Sequence, residues 1–204
     1  MTHPLKCRCG TVQGAVAEPK LANHAVCYCK DCQAFAHFLA RPGDILDERG
    51  GTTVFQTLPK YVTITRGSEA LASVRLTNKG LIRWYTRCCS TPIGNTAATP
   101  KLSFVGLVHS CLEGSKASLE ESFGPVRAVV NTHSAKGNPK PTSRGMAATL
   151  AWLIPAMIKA RIDGGYKKTP FFHIDSGAPV AQPKVLSAEE LSRVRNALDA
   201  ELNR

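Results

Sequence analysis

Cys27-Tyr28-Cys29-Lys30-Asp31-Cys32 places three thiols within six positions. A Cys-x-Cys step followed by Cys-x-x-Cys lets a tight loop fold three sulfurs around one ion. Four protein ligands make a closed structural zinc site, whereas three leave a position for water or substrate, which is the catalytic arrangement. Zinc favours thiolates at tetrahedral geometry and keeps them deprotonated near neutral pH. With water or a substrate thiol in the open position, it would act as a Lewis acid or hold a thiolate in place. Lys30 and Arg8 would temper the negative charge of three thiolates on a divalent ion. Cys27, Cys29 and Cys32 are therefore the expected catalytic residues.

These cysteines admit two other readings. Free cysteines often pack as small apolar residues, which so dense a cluster fits poorly. Cys29-Lys30-Asp31-Cys32 also has the spacing of a redox dithiol, but such a pair would open a helix of a thioredoxin-like unit. The β pattern that follows argues against that fold.

Cys7-Arg8-Cys9-Gly10 and Cys88-Cys89 bring all but one of the eight cysteines into three clusters. Cys7, Cys9 and Cys89 suggest a second, closed site assembled from distant segments, which would tie strands together and contribute to folding. Its fourth ligand is open among Cys88, Cys111 and a histidine, with His24, His37, His109 and His133 as candidates. Cys88 qualifies only if two adjacent side chains can reach one ion, since neighbours in a strand face opposite ways.

The elements that must position these thiols read as mainly β over the first hundred residues. Thr52 to Gln56, Tyr61 to Arg66, Leu71 to Leu76 and Leu81 to Tyr85 are rich in Val, Ile, Thr, Tyr and Trp, with turn residues between them. Alternation at Val62, Ile64 and at Val74, Leu76 gives these strands one buried face. The pattern predicts an antiparallel meander, extended by strands over Leu102 to Val108 and Val126 to Asn131.

The last third changes period. Met146, Leu150, Leu153, Ile154, Met157, Ile158 and Ile162 recur at helical spacing, with Pro155 expected to kink or divide the helix. Packing on the β domain is expected of this segment, and Lys159 and Arg161 leave a membrane-surface role as the alternative. It is too short and interrupted to cross a bilayer. Gly164-Gly165 should end it, and Thr169-Pro170-Phe171-Phe172 reads as an extended aromatic anchor. Ser187-Ala188-Glu189-Glu190 is a capping box for a last helix carrying Leu191, Val194 and Leu198 on one face. The expected organisation is a zinc-binding β domain over 1–140 and a helical extension over 141–204, the latter offering a surface for a homodimer.

The 204 residues are 43% hydrophobic, ordinary for a globular protein. Met1-Thr2-His3-Pro4-Leu5-Lys6 has no apolar run of signal-peptide type, so a cytoplasmic location is expected. Thiols stay reduced there, and clustered cysteines read as metal ligands rather than disulfides. The formal charge of +11 draws anions, but Lys and Arg form no block of five or more, and no specific nucleic-acid partner is expected. There is no internal repeat, P-loop or dinucleotide-binding fingerprint.

Cys7-x-Cys9-Gly10, then Cys27-x-Cys29-x-x-Cys32, then an aromatic residue and a cysteine before Pro92-Ile93, resembles the glutathione-dependent formaldehyde-activating enzyme family, which includes the centromere protein V-like proteins. The resemblance covers roughly residues 5 to 135, about the size of one small β domain. It implies a β-tent of antiparallel sheets around zinc. It also implies a structural ion on Cys7, Cys9 and the late cysteine pair, and a catalytic ion on Cys27, Cys29 and Cys32. The implied activity is that of a carbon–sulfur lyase acting on a glutathione-type thiol adduct of a small aldehyde, whose anionic character suits the basic surface. The late motif departs from the family's Cys-x-x-Cys-Gly: Thr86 stands at the first cysteine and an extra thiol stands at Cys88. The alternative expectation is a non-enzymatic, zinc-stabilised module that binds an anionic partner.

Overall fold

The computed structural model describes residues 1–115 and 117–202, the last four of these as backbone. The chain starts with β1 (Thr2–Lys6), β2 (Gln13–Ala17) and β3 (Asn23–Cys27), then α1 (Lys30–Phe38) and a single turn, α2 (Pro42–Ile45). Six strands follow: β4 (Thr52–Thr57), β5 (Val62–Arg66), β6 (Leu71–Arg75), β7 (Ile82–Thr86), β8 (Pro92–Thr96) and β9 (Val105–Val108). Then come α3 (Leu119–Phe123), β10 (Ala128–Val130), α4 (Met146–Ile162), β11 (Lys184–Val185) and α5 (Ala188–Leu202).

The strands build a three-stranded antiparallel sheet, β1-β2-β5, and an eight-stranded mixed sheet, β10-β3-β4-β9-β8-β7-β6-β11. In the large sheet, only the edge strands β10 and β11 run parallel to their neighbours, β3 and β6. The protein is mainly β, as the residue pattern predicts.

The expected meander needs correction. Of its four strands only β6 and β7 pair with each other; β4 lies between β3 and β9, and β5 joins β2 in the small sheet. Turn chemistry redirects the chain here instead of reversing it. Pro59–Tyr61 forms a helical turn after β4, and Gly67 takes a left-handed φ of 75° after β5. A Cβ at Gly67 would stand 2.3 Å from the Thr11 carbonyl oxygen, so the β1–β2 connection passes too close for any side chain. An antiparallel meander does exist, over β6, β7, β8 and β9.

A second correction is α1, which falls inside the stretch expected to be β. Cys29 caps it: its sulfur accepts a hydrogen bond from the Cys32 amide, and Gln33, Ala34, Phe35 and Ala36 turn inward. The capping thiol is not among the usual capping residues, and this hid the helix start in the sequence.

The main core lies between the sheets, around Trp84, Phe55, Phe123 and Phe171. Phe171 packs tilted against Trp84 and Phe172 meets it edge-on, at centroid distances of 5.2 and 6.1 Å, which makes the expected aromatic anchor a core element. α4 runs through Pro155 as one helix, so the expected division does not occur. Pro155 and Ala151, whose carbonyl loses its amide partner, are both exposed residues. The Ser187 capping box forms as predicted: the Glu190 amide donates to Ser187 Oγ (3.1 Å) and the Ser187 amide to Glu190 Oε2 (3.0 Å). Leu191 and Val194 of α5 pack with α1, and Leu198 is buried. No helix among the described residues is long and apolar enough to cross a membrane.

Candidate metal centres

Two thiol sets lie where strands give way to turns or to a helix. Cys27, Cys29 and Cys32 form one, Cys7, Cys9, Cys88 and Cys89 the other, and within each set the sulfurs are within 4.8 Å of one another. Both are positioned to bind a metal ion.

The three-thiol set is built by β3 running out into α1. Cys27 is the last residue of β3, paired with Val130 of β10, and the Tyr28 amide donates to the Val130 carbonyl (3.0 Å). This parallel pairing delivers Asn131, in left-handed conformation at φ 58°, beside the sulfurs, where its Nδ2 donates to Cys27 Sγ (3.3 Å). Buried Gln33 then ties the loop down, its Nε2 donating to the carbonyls of Tyr28 (2.8 Å) and Ser134 (3.0 Å). The sulfurs also sit at the N-terminus of α1, where exposed amides favour negative charge.

These thiols do not ionise alike. Hydrogen bonds from the Cys29 and Cys32 thiols hold Cys27 down to about 2, overcoming burial. The same bond to Cys27 pushes Cys29 up to about 11. Bonds to both neighbours, then burial, drive Cys32 well above the ordinary thiol range. One thiolate forms readily and two resist, because like charges cannot share so small a volume. A cation among the sulfurs would reverse this for the two that resist.

The four-thiol set joins the two sheets. Cys7 and Cys9 occupy the tight β1–β2 connection, and Cys88 and Cys89 the turn between β7 and β8. Sulfur separations are 3.5 Å for Cys7–Cys9, 3.4 Å for Cys9–Cys88, 3.9 Å for Cys7–Cys88 and 3.8 Å for Cys88–Cys89. Cys88 and Cys89 reach the same point because they stand in a turn, with Ser90 left-handed at φ 53°, so strand alternation does not apply. Cys88 thus completes this set. Thr86 is no member of it: its hydroxyl lies 3.3 Å from Cys89 Sγ, opposite Thr91 Oγ1 at 3.1 Å. Burial opposes ionisation of Cys89, yet these hydroxyls, together with hydrogen bonds from Cys9, outweigh it and bring the thiol down to about 5. Burial pushes Cys88 up to about 11, so here too the thiols differ in charge.

The other candidates for a fourth ligand fall outside both sets. Cys111 is buried and donates to the carbonyls of Val108 (3.2 Å) and Ile93 (3.4 Å), and burial raises its thiol far out of reach of ionisation. His109 bonds Glu113 and the Ile45 carbonyl, while His24 bonds the Gly124 carbonyl and stacks on Phe55. His37 belongs to neither set, and His133 lies near the other one. Arg8 is also displaced from its expected place: it lines a cavity of about 370 Å³ against Cys7 and faces Asp44, away from the trio.

Beside the trio the surface is concave. Cys29, Lys30, Asp31, His133 and Ser134 line a cavity of about 340 Å³. Lys30, His133 and Ser134 also border a neighbouring one of about 430 Å³, which adds Lys136 and Lys140. Asn131 and His133 carry no signature in the sequence that ties them to Cys27 and arrive through the β3–β10 register, whereas Gln33 directly follows Cys32 in α1.

Fold and site define a mainly β protein with two cysteine sets positioned for metal ions. The chain belongs to DUF6151, a family of unknown function, whose model matches residues 1–183. Among solved structures it is similar to a Rhodobacter sphaeroides protein at 17% identity, with 57% of this chain and 91% of that chain covered and a TM-score of 0.38. No curated protein matches it.

Proposed function

We propose that Cys27, Cys29 and Cys32 hold a zinc ion, and that the protein acts at the carbon–sulfur bond of a glutathione-type thiol adduct of a small aldehyde. One observation carries this reading. The trio stops at three thiols and borders a cavity, whereas the other set has four thiols. Four of the six separations in the four-thiol set, at 3.4–3.9 Å, suit zinc as a structural ion, bracketing the roughly 3.8 Å edge of a tetrahedron with Zn–S of about 2.3 Å. At the trio, zinc would supply Lewis acidity at an open position.

The chain's own groups do the rest. Lys30 and Lys140 meet the carboxylates of the thiol compound. His133 takes the thiol proton as sulfur attacks the carbonyl carbon, then returns it to the oxygen that carries the displaced electron pair. The product is an S-hydroxyalkyl thioether, and lysis is the reverse. The resemblance to the glutathione-dependent formaldehyde-activating enzymes, with their β-tent, supports this reading through the Cys7-x-Cys9 and Cys27-x-Cys29-x-x-Cys32 steps. Exchange NMR on formaldehyde and glutathione tests it: the wild type accelerates exchange between free and adduct signals, and Cys29→Ala does not. Exchange at the spontaneous rate across a panel of thiols and aldehydes would sink the proposal.

The opening of α1 at Cys29-x-x-Cys32 favours a second reading, a redox dithiol. Reversible loss of two thiols on mild oxidation of the metal-free protein would support it, and an unchanged thiol count would exclude it.

A further inference from the structure

Helix α4 is apolar on nearly every side, yet it is only half covered. Thr149 and Ala160 are buried and Trp152, Leu153, Ala156 and Met157 half-buried, which marks the face that packs on the body. The opposite half carries Met146, Leu150, Ile154, Ile158 and Ile162 in one i, i+4 row, from 44% exposed at Met146 to 81% at Ile162. Ala147, Ala151 and Pro155 fill the space between them and are exposed as well. The row is about 24 Å long at 1.5 Å per residue. A contiguous apolar surface of this kind on a folded protein marks an interaction site rather than ordinary scatter.

The charges around it choose among occupants. Residues 144–168 hold five cations, Arg144, Lys159, Arg161, Lys167 and Lys168, against one acid, Asp163. Asp163 is already engaged, by Lys159 at 3.3 Å and by the Gly165 amide. Arg144 precedes the helix and the other cations cluster at its C-terminal end, so both ends of the apolar row are basic. A second copy of the chain would therefore set cations against cations whether the helices ran parallel or antiparallel, with no free acid to separate them. A sheet of anionic headgroups neutralises both ends at once while the apolar row enters the acyl boundary.

We propose that α4 is an interfacial membrane anchor, lying flat on a phospholipid surface with anionic headgroups. Its inner face stays on the protein body, the isoleucine row enters the bilayer interface, and Arg144, Lys159, Arg161, Lys167 and Lys168 contact the phosphates. The proposal is independent of what chemistry the thiol sets perform.

Co-sedimentation of the 204-residue chain with vesicles tests it. Phosphatidylcholine vesicles are compared with vesicles of phosphatidylcholine and phosphatidylglycerol mixed two to one, at low and high salt. Partitioning is expected onto the mixed vesicles alone, weakened by salt and by about fivefold for each cation removed in Lys159→Ala and Arg161→Ala. Ile154→Asp with Ile158→Asp should abolish it by more than about tenfold. Both positions are exposed, so circular dichroism and metal content should match the wild type. The proposal is overturned by no binding to mixed vesicles at low salt, by equal binding to both vesicle types, or by binding that survives the double aspartate variant. Self-association that this variant abolishes, without vesicle binding, would assign the face to a second copy and overturn it too.

Discussion

Asn131 shows how one hydrogen bond can set the chemistry of a sulfur. Its amide holds Cys27 Sγ at 3.3 Å, a contact that stabilises the thiolate and fixes the direction of its remaining lone pairs. Asn131→Leu should weaken metal binding at the trio by about 10- to 100-fold while leaving the four-thiol set loaded. Competition with a chromophoric chelator reads both sites in one titration. The uneven ionisation of the trio gives a second expectation. Cys27 is already a thiolate at neutral pH, while Cys29 and Cys32, one near 11 and the other well above the ordinary range, hold their protons. Metal binding must expel those two, so loading should release about two protons per trio near neutrality, and affinity should fall as pH is lowered. A weakly buffered titration measures the count, and no proton release would show that the sulfurs are not the ligands. The thiol ligands themselves are legible from residue type and spacing alone. Asn131 is not, because it owes its role to Cys27, far away in the chain, and the hydroxyls of Thr86 and Thr91 are not, because only the turn between β7 and β8 brings them onto Cys89.

At the level of elements, what the sequence conveys well is period and punctuation. The strand runs, the Ser187 capping box and the aromatic anchor are all local patterns, and all of them form. Pairing is another matter, because hydrogen bonds between strands depend on which surfaces meet, not on order along the chain. The left-handed Gly67 and the Pro59–Tyr61 turn send β5 to the small sheet, and nothing in the alternation of Val62 and Ile64 announces that destination. Helix α1 is hidden for a different reason: its cap is a cysteine whose sulfur accepts the amide hydrogen bond. Phe171 illustrates how a distant element is fastened to the core. It is fully buried against Trp84, whose indole nitrogen donates to Thr96 Oγ1 (2.9 Å). Phe171→Ala should cost about 3–5 kcal/mol in denaturant unfolding. A loss below 1 kcal/mol would mean that the segment after α4 is only loosely attached.

Across the whole molecule, the two thiol sets differ in what they connect. Cys7 and Cys9 belong to the small sheet's hairpin, Cys88 and Cys89 to the large sheet's, so an ion there would bridge both sheets. The trio joins a strand to the helix that follows it directly. Cys9→Ala should therefore lower the melting temperature markedly, whereas Cys32→Ser should remove metal from the trio and leave the β fold in place. Thermal unfolding with metal analysis separates the two, and equal destabilisation by both variants would contradict this division. The edges of the large sheet lead to one further consequence. β10 and β11, its two outermost strands, come from residues 128–130 and 184–185, whereas the last of the seven clustered thiols is Cys89. A ribosome thus delivers every clustered thiol long before it delivers either flank. Once β9 has also been made, a sheet formed before the flanks arrive would present β3 and β6 as bare hydrogen-bonding edges, the situation in which chains pair with one another instead of with themselves. The late strands, short as they are, cover β3 and part of β6 and become the outer edges of the sheet themselves.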